Sequence, residues 1–360
     1  MSIITRRNFT KLAVASATLP MLGGSGALAA DPLKVGFIYL GPIGDAGWTW
    51  AHDKGRKAMV DGLGGKVTGD YVENVAEDAS AVPVMRDLAK QGHKLIFASS
   101  FGYMDQCVQL AKEFPDVMFE HCTGYKRDKN LSTYNSRFHE GRAVLGTIAG
   151  MMTKSNTIGY LGSYKVPEVV LGINAFTLSA QAVNPKVQVK LVMIDSWFDP
   201  AKEAAATETL ANLGCDVITT HTDSPAALQV MEQKGLFGFG QGADMSRFAP
   251  HAHLTAIEDI WGPYYTSRAQ AVLDGKWTST DTWWGMKDGT VKISPYNASL
   301  PKDVAAAADK IQAGWKDGSY SVFTGPITDQ AGKERVAKGD VMKDGDLATI
   351  DWYVKGVQST

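Results

Sequence analysis

From residue 33 onward the chain alternates short apolar runs with longer stretches whose apolar positions recur at helical spacing. KVGFIYL (34–40) reads as a buried strand, 48–63 as a helix, GDYVENV (69–75) as a strand and 78–91 as a helix. KLIFASS, a helix over 104–114 and VMFEHC follow. A second series runs through a helix at 139–153, TIGYLGS, a helix at 167–182, VQVKLVMI, a helix at 200–213, DVITTHT, a helix at 224–234 and LFGFG. LTAIEDI (254–260) is one more strand, with a helix after it to 274. TWWGM and TVKIS alternate like an antiparallel pair, and a last helix is expected near 302–315.

Such strand runs are apolar on both faces, as strands of a parallel sheet covered by helices must be. Right-handed β-α-β crossovers wind each series into a doubly wound sheet, so the two series predict two α/β lobes. No low-complexity linker or fixed-period repeat intervenes, and the lobes are expected to be joined by several short crossings. Ligands of open α/β sheets lie beyond the carboxyl ends of the strands, and two lobes facing each other there enclose a cleft.

The loops after the strands therefore matter most. G-P-I-G-D-A-G-W-T-W (41–50) combines a tight turn with Asp45, Trp48 and Trp50 at a helix start. S-S-F-G-Y-M-D (99–105) brings Phe101, Gly102 and Tyr103; D-S-W-F-D-P (195–200) brings Trp197 and Phe198; T-H-T-D-S-P (220–225) brings Thr222 and Asp223. One such loop alone reads equally well as a capping Asp and a packing Trp. Aromatic residues followed by carboxylates or hydroxyls at several strand ends suit a flat heterocycle with a polar edge: rings stack on its faces and carboxylates accept from its N–H groups.

Other motifs carry less. G-F-G-Q-G-A (238–243) matches a dinucleotide fingerprint by letter, but D-M-S-R-F-A-P after it has no helix-period pattern. His251 and His253 lack a third ligand at useful spacing, and no metal site is expected. There is no Gly-x-Ser-x-Gly elbow, Walker loop or His-Glu-x-x-His, so neither a catalytic residue nor a cofactor is expected. Glu258 and Asp259 adjoin on a strand and point to opposite faces, which is no acid/base dyad. Cys107, Cys122 and Cys215 form no Cys-x-x-Cys; whether Cys107 and Cys122 pair is open at this stage.

Charge refines the class. The chain has 36 basic and 38 acidic residues, a formal charge of −2, which offers no bulk attraction to nucleic acid. Near the start, T-R-R-N-F-T-K (5–11) precedes a weakly apolar stretch broken by Pro20 and glycines and closed by Ala27-Leu28-Ala29. This predicts a twin-arginine signal peptide over 1–30, cleaved after Ala29 or Ala30, with no lipid-bearing cysteine nearby. An ordinary secretory signal with an incidental Arg-Arg gives the same compartment, a bacterial periplasm. Losing Arg6, Arg7 and Lys11 leaves 33 basic against 38 acidic residues, or −5. No other stretch is long and apolar enough to predict membrane insertion.

Together, G-P-I-G-D-A-G-W-T-W-A-H-D, S-F-G-Y-M-D, F-E-H-C-T-G-Y, R-F-H-E-G-R, P-E-V-V-L-G-I-N-A-F, D-S-W-F-D-P-A-K-E, H-T-D-S-P, W-G-P-Y-Y and F-T-G-P-I-T-D closely resemble the basic membrane protein family of ABC-transporter solute-binding proteins, relatives of the purine nucleoside receptor lipoproteins. The resemblance runs from residue 33 to the C-terminus. It implies a type I periplasmic-binding fold, two doubly wound α/β lobes joined by three hinge crossings near 126–137, 248–254 and 275–282. The N-terminal lobe would then be 31–130 plus about 253–277, and the C-terminal lobe about 131–252 plus 278–360.

The resemblance further implies a ligand base held between Trp48 and either Trp197 or Phe198, with Asp45 and the segment around Thr123 near its edge. Glu168, in the P-E-V-V string, joins the implied ligand-binding set. Ribose-binding relatives carry an aspartate where this chain has Gly242, in G-Q-G-A-D ending at Asp244, and a lysine about where I-E-D (257–259) falls. Losing both groups while keeping the aromatics favours a free purine base: adenine, guanine, hypoxanthine or xanthine. The implied partners are that ligand and a membrane ABC permease, with the protein itself a monomer. A nucleoside, a sugar or an autoinducer, a sensory role without transport, and a purine-processing hydrolase using Asp45 or Asp223 are the competing readings.

Overall fold

A computed structural model describes residues 31–359; the expected signal peptide lies outside the described residues. The first stretch holds β1 (Leu33–Ile38), α1 (Trp48–Leu63), β2 (Val67–Val72), α2 (Ala81–Lys90), β3 (Leu95–Ala98), α3 (Met104–Glu113), β4 (Met118–Cys122) and β5 (Leu131–Ser136). Next come α4 (Phe138–Met152), β6 (Thr157–Gly162), α5 (Pro167–Val183), β7 (Gln188–Met193), α6 (Pro200–Asn212), β8 (Val217–Thr220), α7 (Ala226–Lys234), β9 (Phe237–Gly240) and β10 (His253–Asp259). The remainder is α8 (Gly262–Leu273), β11 (Asp281–Trp284), β12 (Val291–Ile293), α9 (Lys302–Asp317), β13 (Ile327–Thr328), β14 (Glu334–Val336), α10 (Asp344–Leu347) and β15 (Val357–Ser359).

Two large sheets organise these elements, one in each lobe. The first has the order β11-β5-β4-β3-β1-β2 and is parallel throughout. The second runs β12-β10-β9-β8-β6-β7-β15, with only β12 antiparallel to its neighbour. Central strands such as β3 are buried along their whole length because helices cover both faces. Nearly every residue of α4 is buried. It has no solvent face because α5, α9 and the edge of the second sheet surround it.

The chain passes between the lobes three times: from β5 into α4, from β10 into α8, and from β11 to β12. The second and third passages fall later than the sequence placed them. β10 pairs with β9 and β12, so 253–259 belongs to the second sheet and not the first lobe. Its uniformly buried run suits either sheet, and only long-range pairing decides. β11 pairs with β5 in the first sheet, so 281–284 leaves the second lobe, and TWWGM and TVKIS are not partners.

What returns the chain to the first lobe is a buried ion pair. Arg268 on α8 donates from Nε to Glu120 of β4 at 2.5 Å, and the Tyr264 hydroxyl and Trp277 Nε1 each donate to the same carboxylate at 2.7 Å. Arg268 Nη2 also donates to the Ser132 hydroxyl at 2.9 Å. These contacts help explain how LSTYNS, β5, is buried although polar: the Ser132 and Tyr134 hydroxyls meet Arg268 and Tyr265 of α8, and the Thr133 hydroxyl donates to Asp281 of β11.

Candidate functional site

The carboxyl ends of β1, β3 and β4 in the first lobe and of β6, β7, β8 and β9 in the second face one another, and their loops meet. Trp48 opens α1 and Trp197 follows β7, yet both line one cavity together with Leu40, Phe101, Glu168 and Asp223. That cavity leaves about 20 Å³ in which the centre of a water molecule fits, room for water and not for a bicyclic ring. It opens on two sides into larger spaces of about 600 Å³ and 400 Å³ by the same measure. The first shares Leu40, Trp197 and Asp223 with it, the second Phe101, Thr123 and Glu168.

Each tryptophan is held from behind. The Trp48 indole donates from Nε1 to the Ser99 carbonyl at 2.7 Å and meets His52 and Trp261 edge-on. Trp197 packs against Tyr164 and donates from Nε1 to Glu77 of the first lobe at 3.0 Å. Glu77 also accepts from the Ser100 hydroxyl at 2.5 Å and the Gly102 N–H at 2.7 Å.

The lobes meet closely at the start of α1. The N–H of Trp48 donates to Asp223 Oδ1 at 3.1 Å, so a carboxylate from the second lobe caps a helix of the first. Gly47 just before it has φ 90°, and a Cβ there would lie 2.6 Å from the Asp223 carbonyl oxygen. Gly242, φ 69°, comes to the same place from the other side, where a Cβ would stand 3.0 Å from the Gly47 carbonyl carbon. Arg247 adds a bond from Nη2 to the Asp45 carbonyl at 3.0 Å. Contacts of this kind require the lobes to be closed on one another.

Acidic groups dominate the electrostatics. Burial pushes Glu168 up to about 8, reinforced by Asp259, and Asp223 and Glu77 act in the same direction. Burial likewise raises Asp223 to about 7 and Asp259 to about 7. Against them stands Arg142 of α4, wholly buried, which binds the Thr219 hydroxyl at 2.9 Å and the Gln241 side-chain oxygen. His221 is held neutral by burial, its Nδ1 3.2 Å from the Tyr160 hydroxyl. Among the described residues no cluster fit to hold a metal ion occurs.

The family model described as "ABC transporter substrate-binding protein PnrA-like" (Bmp) matches residues 33–316. The chain belongs to this family. It is 53% identical over 337 residues to a purine-binding protein of Brucella abortus (strain 2308), covering 94% of this chain and 96% of the relative. It is 34% identical over 281 residues to a putative ABC transporter glucose-binding protein of Haloferax volcanii, covering 78% of this chain and 71% of that one. A solved ABC-transporter solute-binding protein from Aeropyrum pernix K1 matches with a TM-score of 0.69 at 15% identity, over 83% of this chain and 93% of that one, a likeness of fold. The periplasmic-binding fold of two α/β lobes expected from the sequence is thus the observed one.

In this Bmp-family protein the sequence-derived candidates separate by position. Trp48, Phe101, Thr123, Glu168, Trp197 and Asp223 come together around the central cavity. Asp45 and Phe198 lie exposed at the larger mouth. Gly242 acts by close approach, as described. Tyr103 does not join the site: its ring is in the core of the first lobe and its hydroxyl donates to the Val75 carbonyl at 2.5 Å. Its position in a 3-10 turn, with a helix after it, turns it inward. Thr222 is buried and lines none of the three spaces. Gly102 and Asp244 do not line them either; Asp244 accepts from the Ser246 N–H in its own turn.

Sequence reasoning missed Leu40, Ser100, His221 and Gln241, which line the cavity, and Glu77, which reaches across it. Two of these, Ser100 and His221, sit inside strings already read as strand-end loops, so the positional signal was present. G-F-G-Q-G-A has no phosphate-binding helix after it, only a 3-10 turn at Ser246–Phe248. All three cysteines are free and buried.

Proposed function

We propose that this ABC-transporter substrate-binding protein captures a free purine base between its lobes and delivers it to a membrane permease. The observation that carries the reading is the placement of Trp48 and Trp197: two indoles from opposite lobes, each anchored through its N–H, on the wall of one narrow cavity. A flat bicyclic ring entering between parted lobes would stack on both, and stacking of this kind contributes roughly 1–3 kcal/mol per ring. Asp223, Glu168, Gln241 and His221 supply the polar edge. The purine-binding name of the Brucella relative supports the same ligand class.

Capture and not chemistry is the proposed role, since ligand shifts the population toward the closed arrangement that the interlobe bonds stabilise. Gly242 bears on base against nucleoside. Its left-handed backbone and its close approach to Gly47 disfavour a side chain at the position where the resemblance implies an aspartate in ribose-binding relatives. The export reading completes the proposal: a twin-arginine leader would place a monomeric folded protein in the periplasm, beside its permease.

Mass spectrometry of protein purified under native conditions tests the reading. Recovery of an unmodified purine base supports it, and recovery of a sugar, as the name of the Haloferax relative would favour, counts against it.

A further inference from the structure

The central cavity has a carboxyl group at each end. Asp223 and Trp197 also line the 600 Å³ space and Glu168 also lines the 400 Å³ space, while Trp48 lines the central cavity alone. Neither carboxyl is fully used by the protein. Asp223 accepts from the Trp48 N–H through Oδ1 only, and Glu168, at the start of α5, has no hydrogen-bond or ion-pair partner among the described residues. Gln241 and His221, the other polar side chains lining the cavity apart from hydroxyls and the indoles, are engaged through Oε1 by Arg142 and through Nδ1 by Tyr160.

We infer that Glu168 and Asp223 are paired specificity determinants that require a ring donating an N–H at both of its ends. The inference rests on the purine reading above. Every free purine base has this property: its pyrimidine end carries an N–H or an amino group, and its imidazole end carries the mobile N7/N9 proton. Alkylation or glycosylation at N9 removes the second donor and leaves N7 as an acceptor, which an ionised carboxyl at that end faces unfavourably; above about pH 8, once both carboxyls have released their protons, they accept only. A polar site built to accept a donor rejects the analogue lacking it, because its own buried acceptor is then left unpaired. Selection against nucleosides would thus come from the acceptors at the slot's ends and not only from the missing ribose contacts.

Calorimetric titration at about pH 8.5, where both carboxyls are ionised, with adenine, hypoxanthine and their 9-methyl derivatives tests this, the methyl group being far smaller than ribose. Wild-type protein is expected to bind a parent base at least about tenfold more tightly than its 9-methyl derivative. In one of the two variants Glu168→Ala and Asp223→Ala, the one that removes the acceptor at the imidazole end, that preference should fall below about threefold. The other variant should weaken both ligands together and keep the preference. Melting curves of both variants establish that they fold. Equal binding of base and 9-methyl base by the wild type overturns the inference, and so does an unchanged preference in both variants, which would mean simple steric exclusion. If the wild type binds no purine base at all, the purine reading itself has failed.

Discussion

The indole N–H of Trp197, carried by the second lobe, donates to the Glu77 carboxylate of the first lobe at 3.0 Å. One residue therefore serves both as a wall of the cavity and as a latch across it. Glu77→Ala removes the acceptor and leaves the indole, Ser100 and Gly102 donors unpaired, so ligand affinity should fall about tenfold. In a Trp197→Phe background the same change should cost distinctly less, because the two residues share one interaction. Titration of the four proteins of this cycle measures it; fully additive losses would mean that the contact does not contribute to closure.

Stacking is tested separately. Trp48→Ala and Trp197→Ala should each weaken base binding by roughly 1–3 kcal/mol, with phenylalanine at either position restoring part of the loss. The Trp48 variant also loses packing against His52 and Trp261, so its melting temperature should drop as well. Wild-type affinity in either alanine variant would remove that ring from the site.

Gly47 lies where the lobes touch. In this closed arrangement a methyl group there would stand 2.6 Å from the Asp223 carbonyl oxygen, and its φ of 90° adds backbone strain. Gly47→Ala should raise the dissociation constant tenfold or more and keep the solution scattering envelope extended at saturating ligand. A variant that closes and binds like wild type would show that this contact does not limit closure.

Stability should depend on pH in a defined direction. Burial raises Glu140, Asp223 and Asp259 to about 7 and Glu168 to about 8, so the folded ligand-free protein holds protons that the unfolded chain has released. A raised folded value stabilises at low pH and loses that contribution as pH climbs through it. Buried His52, His139 and His121, held near 3, 3 and 4, oppose this only below about pH 6.5, where unfolded histidines begin to protonate. Buried His221 and His253 are shifted the same way. Melting temperature should therefore fall from about pH 6.5 to about 8 and level off above that, once the last of these carboxyls has ionised; thermal scans that are flat or rising from about pH 6.5 to 8 would contradict the burial of these carboxyls.

Much of the fold was legible because apolar runs and helical periodicity report burial directly. The predicted helices at 48–63, 104–114 and 167–182 agree with α1, α3 and α5 to within one residue at each end. β5 was not legible, since Ser132 and Thr133 are buried through hydrogen bonds and not through hydrophobicity. The lobe membership of β10 and β11 was hidden for a related reason: strand character is local, whereas sheet membership is set by partners far along the chain. At the site, position after a strand identified Trp48, Trp197 and Asp223. The direction of Tyr103 and the reach of Glu77 depend on side-chain packing, on which composition and spacing are silent.

The central claim is a free purine base held between Trp48 and Trp197. Isothermal titration of ligand-stripped protein with adenine, guanine, hypoxanthine and xanthine, set against their nucleosides and glucose, tests it most directly. At least one free base should bind more tightly than its nucleoside and than glucose; adenosine, inosine or glucose binding tenfold more tightly than every base would contradict the account.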